Sequence, residues 1–409
     1  MTGGKFPKKT LADAPLDGRT VLVRVDYNVP LDEKGKIADD FRIRASLSTI
    51  EKLLSRRCKV VLIAHLGRPD GKPNKKDSLE PVAHRLMELL HRPVKFVSNC
   101  VGDKVVQASK RLHPREVLLL ENLRFHSEEE QNDENFARDL ARDSGASYFV
   151  QDGFGVVHRA HASTDAITHY LPSVAGLLLE REYRMIAGAM NHPKRPLIAI
   201  LGGAKISDKI PVIEKFVAVA DKIIIGGAMA NTFLAYRGYP IGKSKTEADC
   251  DDIIKKIYES VNQKTDKPDE FLILPRDVAV AKEISPAATR TVVPVNEVKA
   301  DDIILDIGYE SIEIAVKIVA AAQTAVWNGT LGYAELEPFA YGSARVALAL
   351  AEHQHYLVSI VGGGDTADFV MNWDGHDGAS FAHVSTGGGA SIELMSGAEL
   401  PGIAALMDS

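Results

Sequence analysis

Several cationic side chains in this sequence follow short apolar runs. His65 and Arg68 follow the run in "KVVLIAHLGRP", Arg124 lies in "EVLLLENLRFH", and Arg159 ends "SYFVQDGFGVVHR". Arg42 lies at the start of a helical pattern. Guanidinium groups bind phosphate and carboxylate in a forked geometry. Because ligands of open α/β sheets bind at the carboxyl ends of the strands, the pattern predicts a site for a small anionic molecule.

Two further polar residues, Asp26 and Asn28, follow the first apolar run, "TVLVRVDYNVP". Their spacing of two would place both side chains on one face if the strand continued that far. They could then hold a hydroxyl group or orient an arginine.

In the second half of the chain, glycines take the place of these cations. They follow five apolar runs: Gly202 and Gly203, Gly226 and Gly227, Gly329 and Gly332, Gly362 to Gly364, and Gly387 to Gly389. Glycine lets the backbone approach a ligand closely. Lys205 and Lys209 are four apart and would share a helix face if "AKISDKIPVIEKF" is helical. The combination predicts a polyphosphate site.

One of these glycine runs, "SIVGGGDTAD" at 359–368, leads directly into a predicted helix. The beginning of a helix offers free N–H groups and a positive dipole end, which suit phosphate. The stretch matches neither GxGxxG nor GxxxxGK[ST], the two common phosphate loops. Asp365 is a candidate ligand for Mg²⁺, which prefers one or two carboxylates together with phosphate and water.

The elements that carry these residues alternate along the whole chain. Nearly continuous apolar runs are separated by helical patterns such as residues 41–57 and 80–92, which indicates parallel sheets covered on both faces. Two such sets predict two doubly wound α/β domains joined by a helix over residues 177–192. The apolar spacing of residues 398–409 predicts that the tail packs on a domain.

Composition restricts the class of protein. The chain has 409 residues and a formal net charge of −6, which argues against nucleic-acid binding. Its three cysteines are scattered, as expected for reduced thiols in the cytoplasm. No apolar run is long enough for a membrane span, and no signal core precedes the first strand. We therefore expect a cytoplasmic protein that binds no membrane.

Two other functions stay open at this point. An NAD-dependent dehydrogenase would need an acidic residue at the end of the strand after the glycine loop. Here the strand after "LGGAK" is "KIIIGG", which ends in glycines instead. A nucleotide-binding or phospho-acid-binding protein without catalytic activity has the same fold class, but the full set of arginines, lysines and Asp365 argues against it.

Nine motifs in order resemble the phosphoglycerate kinase family over nearly the whole chain. They are "VRVDYNVP", "AHLGRP", "ENLRFH", "FGVVHRAHAST", "LGGAKISDKI", "IGGAMANTF", "VWNGTLGYAE", "VGGGDTAD" and "VSTGGGASIE". The resemblance implies reversible phosphoryl transfer from 1,3-bisphosphoglycerate to ADP with Mg²⁺, giving 3-phosphoglycerate and ATP. It implies a phosphoglycerate-binding domain over 1–180 with residues 397–409 packed back on it, a nucleotide-binding domain over 181–396, and a monomer.

The resemblance also assigns site residues. Those implied to bind the phosphoglycerate are Asp26, Asn28, Arg42, His65, Leu66, Gly67, Arg68, Arg124 and Arg159. Those implied to bind the nucleotide are Gly203, Lys209, Gly308, Asn328, Glu335, Gly363, Gly364, Asp365 and Thr366, with Asp365 carrying Mg²⁺. The implied catalytic residues are Arg42, Lys205 and Lys209.

Five residues depart from the family's usual pattern, the first being Gln151, where the family usually has asparagine. Thr330 and Tyr309 stand where the family usually has proline, Ala334 where it has phenylalanine, and Gly153 where it has alanine. Because the charged residues are all present, we expect these departures to change nucleotide affinity more than activity.

Overall fold

The computed structural model describes residues 5–409, and this part of the chain divides into two compact units. The N-terminal unit consists of Lys5–Arg184 together with Glu399–Ser409. The C-terminal unit consists of Met185–Ala398. The division falls within a single helix, four residues beyond the predicted domain boundary at 180/181.

The N-terminal unit contains a parallel sheet with helices on both faces. Its strands are β1 (Thr20–Arg24), β2 (Lys59–Ile63), β3 (Val94–Val97), β4 (Val117–Leu120), β5 (Tyr148–Gln151) and β6 (Ser173–Ala175). Their order across the sheet is β3-β4-β2-β1-β5-β6. Its helices are α1 (Phe41–Ser55), α2 (Glu80–Leu90), α3 (Asp103–Lys110), α4 (Glu134–Ser144) and the beginning of α5 (Leu177–Asn191).

Successive strand residues of this sheet face two separate apolar cores. Val21 and Val23 pack in the core that includes Ile50 of α1, whereas Leu22 packs in the core that includes Leu140 of α4. Side chains alternate across a strand, so a sheet covered on both faces needs apolar residues at every position. This explains why the strands are continuous apolar runs.

The C-terminal unit has a second parallel sheet and a small antiparallel sheet. Its strands are β7 (Leu197–Leu201), β8 (Lys222–Ile225), β9 (Leu272–Ile273), β10 (Asp277–Ala281), β11 (Thr291–Pro294), β12 (Ile303–Ile307), β13 (Thr324–Asn328), β14 (Val358–Gly362) and β15 (His383–Val384). The parallel sheet has the order β15-β14-β13-β7-β8-β9, and the antiparallel sheet has the order β11-β10-β12.

The helices of the C-terminal unit follow most of these strands. They are the end of α5, α6 (Ile210–Val219), α7 (Gly227–Tyr236), α8 (Asp251–Lys264), α9 (Pro268–Phe271), α10 (Tyr309–Ala320), α11 (Tyr341–Glu352), α12 (Gly364–Asp374) and α13 (Gly389–Ser396). None of the helices in residues 5–409 combines the length and apolar composition that crossing a bilayer requires.

The C-terminal tail packs within the N-terminal unit. It forms the short helix α14 (Pro401–Ala404). The Gly402 N–H donates to the Val157 carbonyl at 2.8 Å, and the Met407 N–H donates to the Ser173 carbonyl at 3.1 Å. Its buried apolar side chains are Leu400, Ile403 and Leu406.

The predicted fold class, two parallel-sheet α/β domains, is confirmed, but two local predictions are wrong. Strand β1 ends at Arg24, so Asp26 and Asn28 lie in the following loop and not on one strand face. Lys205 and Lys209 do not share a helix, because Ser207–Lys209 forms a 3-10 turn and α6 begins only at Ile210.

Candidate active site

In the N-terminal unit, the loop after β1 fixes one arginine at the beginning of α1. The Asp26 carboxylate accepts a bond from Arg42 Nη1 at 3.1 Å, and the Asn28 carbonyl accepts from the same nitrogen at 3.1 Å. The Asn28 side chain accepts from the Gly67 N–H at 2.9 Å. Asp26 is buried, whereas the Arg42 side chain is 29% exposed. The two polar residues therefore hold Arg42 and the 65–68 loop in place.

The segment after β4 brings a second arginine, Arg124, to the same edge of the sheet, where the loop after β2 holds it. The Gly67 carbonyl accepts from Arg124 Nη1 at 2.8 Å, while Arg124 Nη2 pairs with Glu130 at 2.9 Å. Gly67 has a φ of +63°, and a Cβ there would lie 2.6 Å from a carboxylate oxygen of Asp77. The turn thus requires glycine. Leu66 is buried, and its backbone N–H and carbonyl both bond to the Asn122 side chain.

Four arginines surround His65 closely enough to change its titration. Burial lowers the pKa of His65 well below its ordinary value, and the charges of Arg24, Arg124, Arg42 and Arg159 lower it further. His65 is therefore neutral at pH 7.

Arg68 and Arg159 contribute to the same positive field. Burial is the largest cause of the lowered pKa of Arg124, and the charges of Arg159 and Arg68 add to the lowering. Arg68 is exposed and Arg159 is half-buried. The sequence-predicted cations thus lie together, and their combined charge suits a ligand with several negative oxygens.

A buried network behind these cations was not among the predicted site residues. Arg24 Nε donates to Ser163 Oγ at 2.8 Å, and Ser163 Oγ donates to Glu129 at 2.6 Å. Burial raises the pKa of Glu129, while the Arg24 charge opposes that rise. The available signal was Arg24 itself, since a charged residue at the end of the apolar strand "TVLVR" needs a buried partner.

In the C-terminal unit, glycine loops enclose one lysine. Lys209 Nζ donates to the carbonyls of Gly202 and Asn328, each at 2.8 Å. A Cβ on Gly202 would lie 2.0 Å from the Thr330 carbonyl oxygen, so the two loops approach closer than any side chain allows. Burial lowers the pKa of Lys209 to about 8, against the opposing charge of Asp365. Lys205 is exposed.

The beginning of α12 lies beside the same loops. Thr366 Oγ1 accepts from the Gly329 N–H at 2.7 Å, which ties this helix to the loop after β13. Gly363 precedes the helix with a φ of +87°, and no side chain caps the helix N-terminus. A Cβ at Gly363 would lie 3.2 Å from the Asn328 side-chain oxygen. The first-turn N–H groups, beginning at Gly364, are therefore open to an anionic oxygen.

The chemistry of these donors fits a magnesium-bound phosphate. Residues 5–409 contain no group of three or more His, Cys, Asp or Glu side chains arranged to hold a metal ion. Asp365 is an exposed carboxylate in the first turn of α12, near the charge of Lys209. Mg²⁺ is commonly held by one or two carboxylates plus phosphate oxygens, so this single carboxylate is sufficient.

A pocket of about 370 Å³ adjoins these loops and has a largely apolar wall. Gly203, Asp365 and Glu335 line it, as do residues that the sequence did not single out. Among these are Asn231, Lys243, Lys245, Ile284, Ile303 to Ile307, and Tyr333. Its volume is within the range of small-molecule sites. A different cavity, near Arg195 and Lys317, lies at the amino ends of β7 and β8, away from the glycine loops.

Local contacts explain the glycine at position 308 and the tyrosine at position 309, where the family usually has proline. Gly308 is not among the residues that line the pocket; a Cβ there would lie 2.2 Å from the Asp277 carboxyl carbon. Tyr309 begins α10 and is 56% exposed, and its ring lies 4.9 Å from the Arg290 guanidinium carbon. Tyrosine at this position therefore packs on Arg290.

Two of the other departures, Gly153 and Thr330, lie against backbone. A Cβ at Gly153 would lie 3.1 Å from the backbone of Val25, so the larger alanine would be tight here. The Thr330 hydroxyl donates to the Gly332 carbonyl at 3.0 Å, which stabilises a loop that the family usually stiffens with proline. Nothing in the structure explains Ala334.

Nearly the whole chain is similar in sequence to one family of known proteins. The sequence model of the family described as phosphoglycerate kinase matches residues 11–398. The chain is 48% identical to a phosphoglycerate kinase of Moorella thermoacetica over 401 residues, covering 98% of this chain and 99% of that protein. It is 44% identical to one from Pelotomaculum thermopropionicum, with the same coverage.

Solved structures are similar as well. The structure of phosphoglycerate kinase from Coxiella burnetii matches with a TM-score of 0.84 at 36% identity and covers 98% of both chains. The crystal structure of the enzyme from Pyrococcus horikoshii matches with a TM-score of 0.82 at 30% identity, covering 97% of this chain and 98% of that one.

Proposed function

This chain belongs to the phosphoglycerate kinase family, and from that premise we propose how its residues divide the reaction. It is a phosphotransferase of glycolysis. It moves a phosphoryl group reversibly between 1,3-bisphosphoglycerate and ADP, giving 3-phosphoglycerate and ATP. The observation that supports the proposal most strongly is the pair of anion sites, one of cationic side chains and one of glycine loops around Lys209.

The phosphoglycerate binds in the N-terminal unit in this proposal. Its negative groups bind to Arg42, Arg68, Arg124 and Arg159, with His65 as a neutral hydrogen-bonding partner. Asp26, Asn28, Leu66 and Gly67 act chiefly by holding these cations and the loop in place, as their hydrogen bonds support. This set supplies charge in excess of what one carboxylate and one phosphate need.

The nucleotide binds in the C-terminal unit. Its phosphates lie along Gly203, Lys209, Asn328 and the beginning of α12 at Gly363 to Thr366, and its ribose contacts Glu335. The base enters the apolar pocket. Asp365 would hold Mg²⁺, which when bound neutralises phosphate charge. Gly308 acts indirectly in this proposal, because it lets α10 begin against Asp277.

The chemical step needs no general base. The phosphoryl acceptor in the ATP-consuming direction is a carboxylate, which is ionised at pH 7 with an ordinary pKa near 4. Positioning and charge neutralisation therefore carry catalysis. We assign Arg42, Lys205 and Lys209 to the charge of the phosphoryl group in transfer. The two substrate sites must meet for transfer, and we propose that binding of both drives closure, which also excludes water.

Coupled turnover of ADP and 1,3-bisphosphoglycerate by the purified chain tests the reaction. We expect ATP formation that depends on Mg²⁺. Binding of 3-phosphoglycerate and ATP without turnover would instead make this a binding protein.

The role of Asp365 has its own test. Asp365→Ala should lower activity and weaken its dependence on Mg²⁺, with the fold intact. Asp374→Ala, at the other end of α12, is the matched control. An acidic residue at a helix N-terminus also stabilises the helix by about 0.3–1 kcal/mol. If Asp365→Ala has normal activity and normal Mg²⁺ dependence, Asp365 has only this structural role.

Compartment and assembly complete the proposal. Cys58, Cys100 and Cys250 are buried and form no disulfide, which supports a location in the reducing cytoplasm.

We propose that the protein is a monomer, and light scattering coupled to gel filtration would test this; a dimer mass would contradict it.

A further inference from the structure

Arg24 occupies an unusual position for a permanently charged residue. It is the last residue of β1 and is 1% exposed. Its guanidinium group is held by Ser163 Oγ through Nε and by the Val25 carbonyl through Nη1. Its remaining contact is to His65 Nδ1, 3.2 Å from Nη2. The guanidinium plane is thus fixed on three sides, and only one of its partners belongs to the anion site.

This contact determines where the imidazole proton lies. A guanidinium group has five N–H donors and no acceptor. Burial lowers the pKa of Arg24, but the Glu129 and Asp26 carboxylates oppose that change, and an arginine stays protonated in a folded protein. His65 Nδ1 must therefore accept the bond. A neutral imidazole carries a single N–H, so the proton of His65 lies on Nε2.

The rest of the environment leaves that N–H free for a ligand. Burial, together with the charges of the surrounding arginines, lowers the pKa of His65 well below its ordinary value, so the ring is not doubly protonated. No hydrogen-bond partner for Nε2 is found in residues 5–409.

We propose that Arg24 is a positioning residue for the reaction: it sets His65 as the Nε2–H tautomer, so that a neutral donor faces an anionic oxygen of the bound phosphoglycerate. This inference rests on the proposed function of the N-terminal unit. Without Arg24, a ring with the proton on Nδ1 would present the Nε2 lone pair to the same oxygen and repel it. Glu129 and Ser163 support the arrangement by holding the guanidinium plane.

Nitrogen-15 NMR of the full chain with labelled histidine measures the tautomer directly. We expect Nδ1 of His65 to resonate as an unprotonated, acceptor nitrogen and Nε2 as a protonated one, in the free protein at neutral pH. His65→Gln identifies the signal among the 13 histidines by its loss. A protonated Nδ1 in the free protein would overturn the assignment, whatever the substrate does.

Addition of 3-phosphoglycerate separates this inference from the proposed function. A change in the Nε2–H resonance on titration supports both. The expected tautomer with no response to saturating 3-phosphoglycerate would contradict the phosphoglycerate site and, with it, the role of Arg24 in the reaction.

Kinetics of matched variants give an independent test. His65→Gln keeps an N–H donor near the position of Nε2, whereas His65→Asn places its amide near Nδ1. We expect His65→Asn to raise the KM for 3-phosphoglycerate about tenfold or more, and His65→Gln to raise it less, since a hydrogen bond to a charged group is lost only in the first. Equal KM values for the two variants would count against a donor at Nε2.

Variants of Arg24 complete the experiment. Arg24→Lys still offers only donors and should retain the Nε2–H tautomer, while Arg24→Met should give a mixed tautomer signal and a raised KM. An unchanged tautomer in a folded Arg24→Met protein would overturn the role of Arg24. If that variant does not fold, the signal of the Arg24→Lys protein decides, since a protonated Nδ1 there would contradict the proposal.

Discussion

At the scale of single residues, we propose that the two units bind negative charge by different means. The N-terminal unit uses guanidinium groups that are fixed by carbonyl and carboxylate oxygens, as Arg42 is by Asp26 and Asn28. The C-terminal unit uses backbone N–H groups and one enclosed lysine, Lys209. Forked guanidinium groups suit a compact phospho-acid, and backbone N–H groups without partners in their own helix suit a chain of phosphates.

Arg42 provides the first prediction. Arg42→Ala should lower kcat far more than it raises KM, because we assign its charge to the phosphoryl group in transfer. The loss of one such group should cost about 3–4 kcal/mol of barrier, or roughly 10²–10³ in kcat. Arg44→Ala is the control, since Arg44 is on the same helix and pairs with Asp40 at 3.1 Å. Steady-state kinetics decide the matter; an effect on KM alone would make Arg42 a binding residue only.

Lys209 provides a prediction about pH. Its pKa of about 8 in the free protein means that it loses its positive charge between roughly pH 7 and pH 9. A bound phosphate favours the charged form and raises that pKa, so ATP affinity should be constant below about pH 7. Above about pH 8 it should fall up to tenfold for each pH unit.

Calorimetric titration of ATP across this range measures the effect. Lys209→Met should bind ATP more weakly than the parent chain and should lack the steep loss of affinity above about pH 8. A parent chain whose ATP affinity is the same at pH 7 and pH 9 would show that the charge of Lys209 does not contact the phosphates.

The sequence predicted site residues where charge or glycine interrupted an apolar run, and missed those whose role depends on a distant partner. His65 and Arg124 could be selected because they follow apolar runs, and Arg42 because it begins a helical pattern. Arg24 could not be assigned a role, because its partner Ser163 is 139 residues away in the chain and His65 is 41 away. Pairings of this kind come from the strand order, which a single sequence does not contain.

At the scale of elements, the same limit explains which parts of the fold were found. The central strands, such as β2 and β13, are long apolar runs and were predicted. The edge strands β3 and β6 were missed, since β3 is only partly buried and β6 has three residues. The apolar stretch "FLILPRDVAVA" at 271–281 is divided between β9 of the parallel sheet and β10 of the antiparallel sheet, a change of partner that no local pattern reveals.

The first turn of helix α5 donates a hydrogen bond to the buried carboxyl group of Asp152. This group leads to a prediction about how stability depends on pH. Asp152 Oδ1 accepts from Thr49 Oγ1 at 2.8 Å and from the Leu178 N–H at 3.0 Å, whereas its buried Oδ2 finds no hydrogen-bond partner within residues 5–409. Burial raises the pKa of Asp152 to about 7. The folded state therefore keeps a proton on Asp152 that the unfolded state releases near its ordinary pKa of about 4.

The sign of the pH effect follows from this difference. The stability contributed by protonated Asp152 is present below about pH 4 and is lost as the pH rises to about 7, by at most roughly 1.4 kcal/mol per pH unit. Asparagine at position 152 cannot ionise. The free energy of unfolding of Asp152→Asn, relative to that of the parent chain, should therefore increase as the pH rises from about 4 to about 7. Urea denaturation at several pH values measures the difference, with the exposed Asp266→Asn as control. Parallel profiles for Asp152→Asn and the parent chain would contradict the buried, protonated carboxyl group.

At the scale of the whole molecule, the two substrate sites that we propose lie in separate compact units, each with its own sheet and core. Phosphoryl transfer requires the reacting atoms to approach to roughly 3–3.5 Å, so the two bound substrates must be brought together. A ligand shifts a conformational equilibrium only by its differential affinity for the two states. In our proposal, one substrate alone contacts one unit and therefore has little such difference in affinity, whereas the two substrates together favour the closed state.

The last prediction follows from this argument. The radius of gyration, measured by small-angle scattering, should decrease clearly only when 3-phosphoglycerate and a nucleotide are both present with Mg²⁺. The Arg42→Ala protein is a useful comparison, because it should still bind each ligand yet close less completely if Arg42 contacts the transferred group. An equal decrease with either ligand alone would mean that each substrate closes the molecule by itself. No decrease with both would mean that closure does not depend on the substrates, and the coupling proposed between the two sites would then be wrong.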